Sequence, residues 1–151
     1  MKALRRLGLK VTPQRLSILK ALEGDRTHPS AEAIYQKVSP QFPGMSFATV
    51  YNTLSALISA GKIHGLDIDP RQKRYDPCTE KHDHFFCKIC RTVYDLDSTS
   101  PLASEIRKID GHEVEDVQIQ FKGICKTCRT RPNSENVNVS KVPNRKGTSR
   151  R

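Results

Sequence analysis

Apolar residues along the first half of this chain recur at helical spacing. Leu16, Leu19 and Leu22 share one face of a predicted helix that Thr12 caps, Pro13 opens and Gly24 ends. Ala31, Ile34, Tyr35 and Val38 stand at i, i+3, i+4 and i+7, predicting a second helix from near Ser30. Pro40 and Pro43-Gly44 break the chain. A third helix, capped by Ser46 and closed by Gly61, should bury Val50, Leu54, Leu57 and Ile58. Two short segments, KIHGLDI and KRYD, flank Asp69-Pro70-Arg71-Gln72 and predict a β-hairpin. Three helices followed by such a hairpin predict a winged helix-turn-helix, a fold whose third helix enters the major groove of DNA.

From His82 the pattern turns β-rich. HFFCKICRTVYDL and VEDVQIQFKGIC flank a predicted helix, PLASEIRKI. The fold class is therefore α+β: an N-terminal winged helix-turn-helix domain over 1–74, a hinge over 75–80 and a small αβ domain over 81–128. The remaining residues, 129–151, have almost no apolar content and are expected to form a disordered basic tail. With 36% hydrophobic residues over 151 positions, no large single core is expected, and a metal staple would help a unit this small.

Charge sharpens this division. Residues 1–74 carry 12 Lys and Arg against 5 Asp and Glu, residues 75–128 carry 7 against 10, and residues 129–151 carry 7 against 1. The basic first unit suits a polyanionic partner, because its cations release counterions from phosphates; a merely soluble basic surface is the bland alternative. On the third helix Thr49, Tyr51 and Asn52 are free to meet phosphates and base edges while Val50 faces inward. Arg15 is a further candidate DNA contact. No apolar run approaches the ~20 residues of a membrane span, and the start, MKALRRLGLKV, lacks the apolar segment of a secretory signal. A cytoplasmic protein with no membrane partner is expected.

The stretch YDPCTEKHDHFFCKIC holds two kinds of metal-ligand residue. Cys87-x-x-Cys90 and Cys125-x-x-Cys128 supply two thiolate knuckles, enough for a closed tetrahedral shell of structural zinc. His82 and His84 stand two apart, so on a strand both rings project from one face. Asp76 lies upstream and Asp95 downstream, and such mixed donors suit Fe(II), Mn(II) or Zn(II). Surface His and Asp in a loop would explain the same pattern.

Taken together, VTPQRLSIL, HPSAEAIY, SFATVYNTL, RYD, HDHFFCKIC, YDL and GICKTC resemble the ferric uptake regulator family across residues 8–128. The resemblance implies a homodimeric, winged-helix, metal-dependent repressor that binds an inverted-repeat DNA operator and dimerises through its αβ domain. It places a regulatory Fe(II) or Mn(II) site on His28, Asp76, His82, His84 and Asp95, and structural zinc on Cys87, Cys90, Cys125 and Cys128. Within the family the chain most resembles the peroxide-sensing repressors, through Asp95 and the pairing of Tyr51 with Asn52. That closer likeness implies Fe(II)-catalysed oxidation of His28 or His82.

Three departures from the family pattern stand out. Arg91 replaces a common Gly after the first knuckle. Val117 replaces a common His, so no third site of that kind is expected. Cys78 lies roughly where zinc sensors place a ligand, although a free thiol beside the hinge is the simpler and preferred reading. An iron or zinc sensor of the same family therefore stays open, as does a zinc-ribbon nucleic-acid binder. A metalloenzyme using the His/Asp set is the rival of a different class, although no HExxH-like motif appears.

Overall fold

In the computed structural model, Leu4 and residues 8–96 and 106–130 are described. Among the described residues the helical part contains α1 (Pro13–Leu22), α2 (Ala31–Val38) and α3 (Phe47–Ser59), with a short 3-10 helix at Ser39–Gln41. Each of the three α-helices starts where a hydroxyl can accept one of the helix's unpaired N–H groups. Thr12, Ser30 and Ser46 accept from the amides of Arg15, Ala33 and Thr49. At the far end of α3, Gly61 adopts φ +62°, and its N–H donates to the Ile58 carbonyl.

The helices pack around Ile34, Val50, Leu54 and Leu57, with Ile63 and Tyr75 closing the cluster from the chain beyond α3. The buried face of α1 differs from the expected one. Ile18, Ala21 and Leu22 are buried, while Leu16 and Leu19 are only half-buried. Each three-residue step turns a stripe by about 60° around a helix, so Leu19 still packs at the edge of the core that buries Leu22, while Leu16, about 120° from Leu22, turns away from it.

Strands β1 (His64–Leu66) and β2 (Arg74–Asp76) form the antiparallel wing, pairing His64 with Asp76. β2 thus continues to Asp76, and the segment without regular structure is 77–82. Next come β3 (Asp83–Cys87) and β4 (Val93–Leu96), antiparallel to each other. The hairpin β5 (Lys108–Ile109) and β6 (His112–Glu113) follows. Then β7 (Gln120–Gly123) runs parallel to β3 on its other side, ahead of the short helix α4 (Lys126–Arg129).

Two expectations change here. Lys108–Ile109, the end of the predicted PLASEIRKI helix, is a strand. Asp110 and Gly111 both take positive φ (50° and 85°), the two-residue turn that twists a chain into a hairpin. Ile106 and Arg107 carry no regular structure, and the remainder of that predicted helix, residues 101–105, lies outside the described residues. The predicted tail also lies outside them, except that Arg129 completes α4 and Thr130 caps it.

The pleat of β3 decides what touches what. Phe86 and its cross-strand partner Val93 are buried with Leu66 and Ile68, joining the three-stranded sheet to the wing region. Phe85 points the other way and packs with Tyr94 and Ile124 against the cysteines. Leu54 is fully buried in the helical core. Leu54→Ala should therefore lower unfolding free energy by about 2–5 kcal/mol, read by urea denaturation.

Candidate metal centres

The four paired cysteines meet as expected. Cys87 ends β3, Cys90 lies on the turn to β4, Cys125 caps α4 and Cys128 lies within it. One sulfur from each lies within 4.8 Å of all the others, and Cys90 Sγ is 3.8 Å from Cys125 Sγ. A tetrahedral zinc with Zn–S near ~2.3 Å would set its sulfurs about 3.8 Å apart, whereas a disulfide needs about 2.05 Å. The spacing fits a shared ion.

Local dipoles prepare these thiols. The Cys125 and Cys128 amides donate to Cys87 Sγ and Cys125 Sγ, at 3.3 and 3.4 Å. The Thr92 hydroxyl, 3.3 Å from Cys90 Sγ, helps bring the Cys90 pKa down to about 6. The Tyr94 hydroxyl pulls Cys125 below its ordinary value. Burial acts the other way at Cys128 and pushes its thiol up to about 12. A cation at the centre of the four sulfurs would remove that opposition by binding the thiolate.

The second cluster draws on both parts of the fold. His28 precedes α2, Asp76 ends β2, His82 and His84 project from one face at the start of β3, and Asp95 lies opposite His84 on β4. His28 Nε2 is 2.8 Å from Asp95 Oδ1 and 3.9 Å from Asp76 Oδ1. His82 Nε2 is 3.2 Å from Asp76 Oδ2 and 3.3 Å from Asp95 Oδ1. His84 Nε2 lies 3.3 Å from Asp76 Oδ2. One donor atom each from His28, His82, His84 and Asp95 falls within 4.8 Å of all the others, and Asp76 lies against this group.

These atoms are close without being aligned as hydrogen bonds. His28 Nε2, Asp76 Oδ2, His82 Nε2, His84 Nε2 and Asp95 Oδ1 are all buried with no hydrogen-bond partner. Polar atoms rarely stay so, and convergent lone pairs of this kind fit a cation with N/O preference. The ring chemistry agrees. His82 Nδ1 lies 2.8 Å from the Glu80 carbonyl, which fixes its proton there and leaves Nε2 free.

Protonation states follow from the surroundings. Burial holds His28 below the ordinary histidine value, against the pull of Asp95 and Asp76, so its ring is neutral near pH 7. Burial also acts to raise Asp76, but His84, the Cys78 amide and the nearby histidines outweigh it, and its carboxyl stays ionised.

His28 is 0% exposed. Its backbone sits at φ +51°, and its carbonyl accepts from Arg74 Nη1 at 3.3 Å. Sequence reasoning missed this role of Arg74, although RYD was singled out for Asp76. Cys78 is exposed and belongs to neither cluster, but its N–H donates to Asp76 Oδ1 at 2.8 Å and so orients that carboxylate.

On α3, Tyr51 is 54% exposed and Asn52 is also exposed. Thr49 is half-buried, and its hydroxyl is engaged 3.1 Å from Ser46 Oγ in the helix cap. Arg15 turns back to its own segment, donating from Nη1 to the Lys10 carbonyl at 2.8 Å.

The model of the ferric uptake regulator family matches residues 6–122. The peroxide-responsive repressor PerR of Staphylococcus aureus is 35% identical over 131 residues, covering 84% of this chain and 87% of that protein. Among solved structures, the ferric uptake regulator of Francisella tularensis with iron is 34% identical, with TM-score 0.68, covering 81% of this chain and 96% of that one. The peroxide stress regulator of Campylobacter jejuni is 27% identical, with TM-score 0.63, covering 84% and 94%.

The sulfur geometry generates a test. Cys87→Ser or Cys125→Ser should reduce tightly bound zinc from about one ion per chain to near none and lower the unfolding midpoint, because shell binding is also folding energy. Metal analysis with thermal unfolding reads both, and a zinc-replete variant of unchanged stability would sink the four-cysteine site.

Proposed function

This chain belongs to the ferric uptake regulator family of metal-responsive transcriptional repressors, and we propose that it senses hydrogen peroxide through oxidation of a ligand histidine. The carrying observation is the set of five buried, unpartnered donor atoms drawn from both parts of the fold. His28 and Asp76 come from the helical unit and its wing, and His82, His84 and Asp95 from the sheet. These five can share one cation only when the two parts are placed as they are here. A coupling of typically ~1–3 kcal/mol between cation and DNA follows from that preference, and it acts in both directions.

The residues that would meet DNA are Tyr51 and Asn52 on the exposed face of α3, on a unit whose net charge is positive. Thr49 and Arg15, held in local contacts, would act more by shaping the helix ends than by reaching bases. A homodimer reading an inverted repeat fits β7, which is an edge strand among the described residues and exposes Phe121. Zinc on the four cysteines would hold this unit together.

The Asp95 identity and the 35% identical peroxide-responsive relative support peroxide over other signals. A bound Fe(II) would activate hydrogen peroxide, one oxygen ending on an imidazole carbon of His28 or His82 and the other leaving as water. His84 and His28 lie deep, while His82 and Asp95 keep part of their side chains exposed, so a small oxidant can approach from that side. Oxidation turns the ring's Nε2 into an amide-like N–H, which takes one donor from the set and loosens the joint between the two parts. Cys78, outside both clusters, gives a zinc-sensing reading no ligand here. The family's members are regulators, so the metalloenzyme reading is set aside. No helix among the described residues is long and apolar enough to cross a membrane, in keeping with a cytoplasmic regulator.

Two experiments test this function. Tyr51→Ala and Asn52→Ala should each weaken operator binding by about 1–3 kcal/mol while metal content stays unchanged. If both keep full operator affinity in a gel-shift titration, α3 is not the reader. Protein loaded with Fe(II) should lose DNA affinity after brief peroxide exposure and gain one oxygen on His28 or His82 by mass spectrometry. Protein loaded with Mn(II) should keep its affinity, and so should Cys78→Ser keep the response. Oxidation confined to cysteines would overturn the histidine mechanism.

A further inference from the structure

Arg91 lies one residue past the first cysteine knuckle, yet its contacts run to the wing. It adopts φ +61°, a conformation open to Gly and unfavourable for a side-chain-bearing residue. Its N–H donates to the Cys87 carbonyl at 2.8 Å, so its backbone is part of the knuckle itself. Its guanidinium lies over the Phe86 ring at 5.7 Å and donates from Nη2 to Asp69 Oδ1. Asp69 is a buried carboxylate on the turn between β1 and β2, and the Arg71 amide also donates to it.

The same carboxylate is held from its other oxygen by Arg74, through Nε at 3.1 Å and Nη2 at 2.9 Å. Arg74 Nη2 then donates to the Arg91 carbonyl at 3.1 Å, and Arg74 Nη1 to the His28 carbonyl. Around this point Ser30 bridges Arg74, and the Tyr75 amide donates to the Pro29 carbonyl at 3.0 Å. A continuous run of charge-assisted hydrogen bonds therefore leads from the cysteine knuckle through Asp69 and Arg74 to the backbone of His28. Asp76 follows Arg74 by two residues on the same strand.

We propose that Arg91 is a positioning residue that clamps the Asp69–Arg74 pair to the cysteine knuckle, and so fixes His28 and Asp76 for cation binding at the second cluster. The proposal rests on reading that cluster as a cation site. Its physical logic is that His28 has a positive φ and no helix around it, so its placement needs outside support. Arg74 gives that support, and Asp69 with Arg91 sets the angle of Arg74. The side chain at 91 thereby links the permanent cysteine site to the responsive one.

Arg91→Gly is a clean probe, because Gly adopts the same φ freely and leaves the carbonyl that Arg74 uses. In full-length, zinc-loaded protein, Arg91→Gly should bind Mn(II) at least about five-fold more weakly, with zinc per chain unchanged. Without added Mn(II), the Tyr75 amide should exchange at least about five-fold faster, while the Leu54 amide in α3 keeps its protection. Arg91→Lys, which keeps the charge and loses the planar fork, should fall between the two. Asp69→Asn should weaken Mn(II) binding similarly, and adding Arg91→Gly to it should cost little more. Wild-type Mn(II) affinity in Arg91→Gly, unchanged Tyr75 exchange, or full additivity of the two substitutions would each overturn the proposal. If wild-type protein bound no Mn(II) at all, the cation-site reading would fall and take this proposal with it, whereas Tyr75 exchange reports on the clamp alone.

Discussion

A buried polar atom without a hydrogen bond costs about 1–3 kcal/mol, and His28, Asp76, His82, His84 and Asp95 each bring at least one to the same point. Their cost can be borne because both halves of the fold are built to deliver them there. The three-helix core fixes α2, and with it His28 just ahead of the Ser30 cap. The wing carries Asp76 on the same strand as Arg74, and the β3–β4 register sets His84 against Asp95. A cation would repay the arrangement by meeting every lone pair at once.

The alternation of side chains along β3 explains how one short segment serves two metal chemistries. His82, His84 and Phe86 face the wing, while Phe85 and Cys87 face the other side of the sheet. Soft thiolates and hard N/O donors are thus kept apart by the thickness of a single strand. One site is closed, with sulfurs at zinc spacing and three of its four cysteines buried. The other keeps its His82 and Asp95 side partly open. Closure suits a permanent staple, and the partly open side leaves the second cluster within reach of solvent.

Asp69, Arg74 and Arg91 add a third element between the two sites. A buried carboxylate facing two guanidinium groups is costly to desolvate, and such pairs often contribute more to geometric specificity than to stability. Here the specificity is the angle between wing and sheet. The hydrophobic contact of Leu66 and Ile68 with Phe86 and Val93 presses the two together without direction. The directional bonds of Asp69 and Arg74 then pick one arrangement from those the apolar contact would allow.

By itself the sequence determined what depends on neighbours along the chain. Ser30 and Ser46 cap helices, Gly61 ends one, and the turn at Asp69 makes a hairpin, because each is a matter of local φ, ψ and nearby hydrogen bonds. The two Cys-x-x-Cys pairs and the His-x-His pair were legible for the same reason, since ligand spacing is a short-range property. Asp110-Gly111 carries a local turn signal, but the PLASEIRKI run ahead of it also fits a helix, and only the pairing of Lys108–Ile109 with His112–Glu113 decides between them. Tertiary structure alone decided the rest. The burial of His28, the hold of Arg74 on its carbonyl 46 residues away, and the reach of Arg91 to Asp69 across 22 residues have no periodicity to announce them. They arise when packed elements bring distant charges into a space that excludes water, where each must find a partner or an ion.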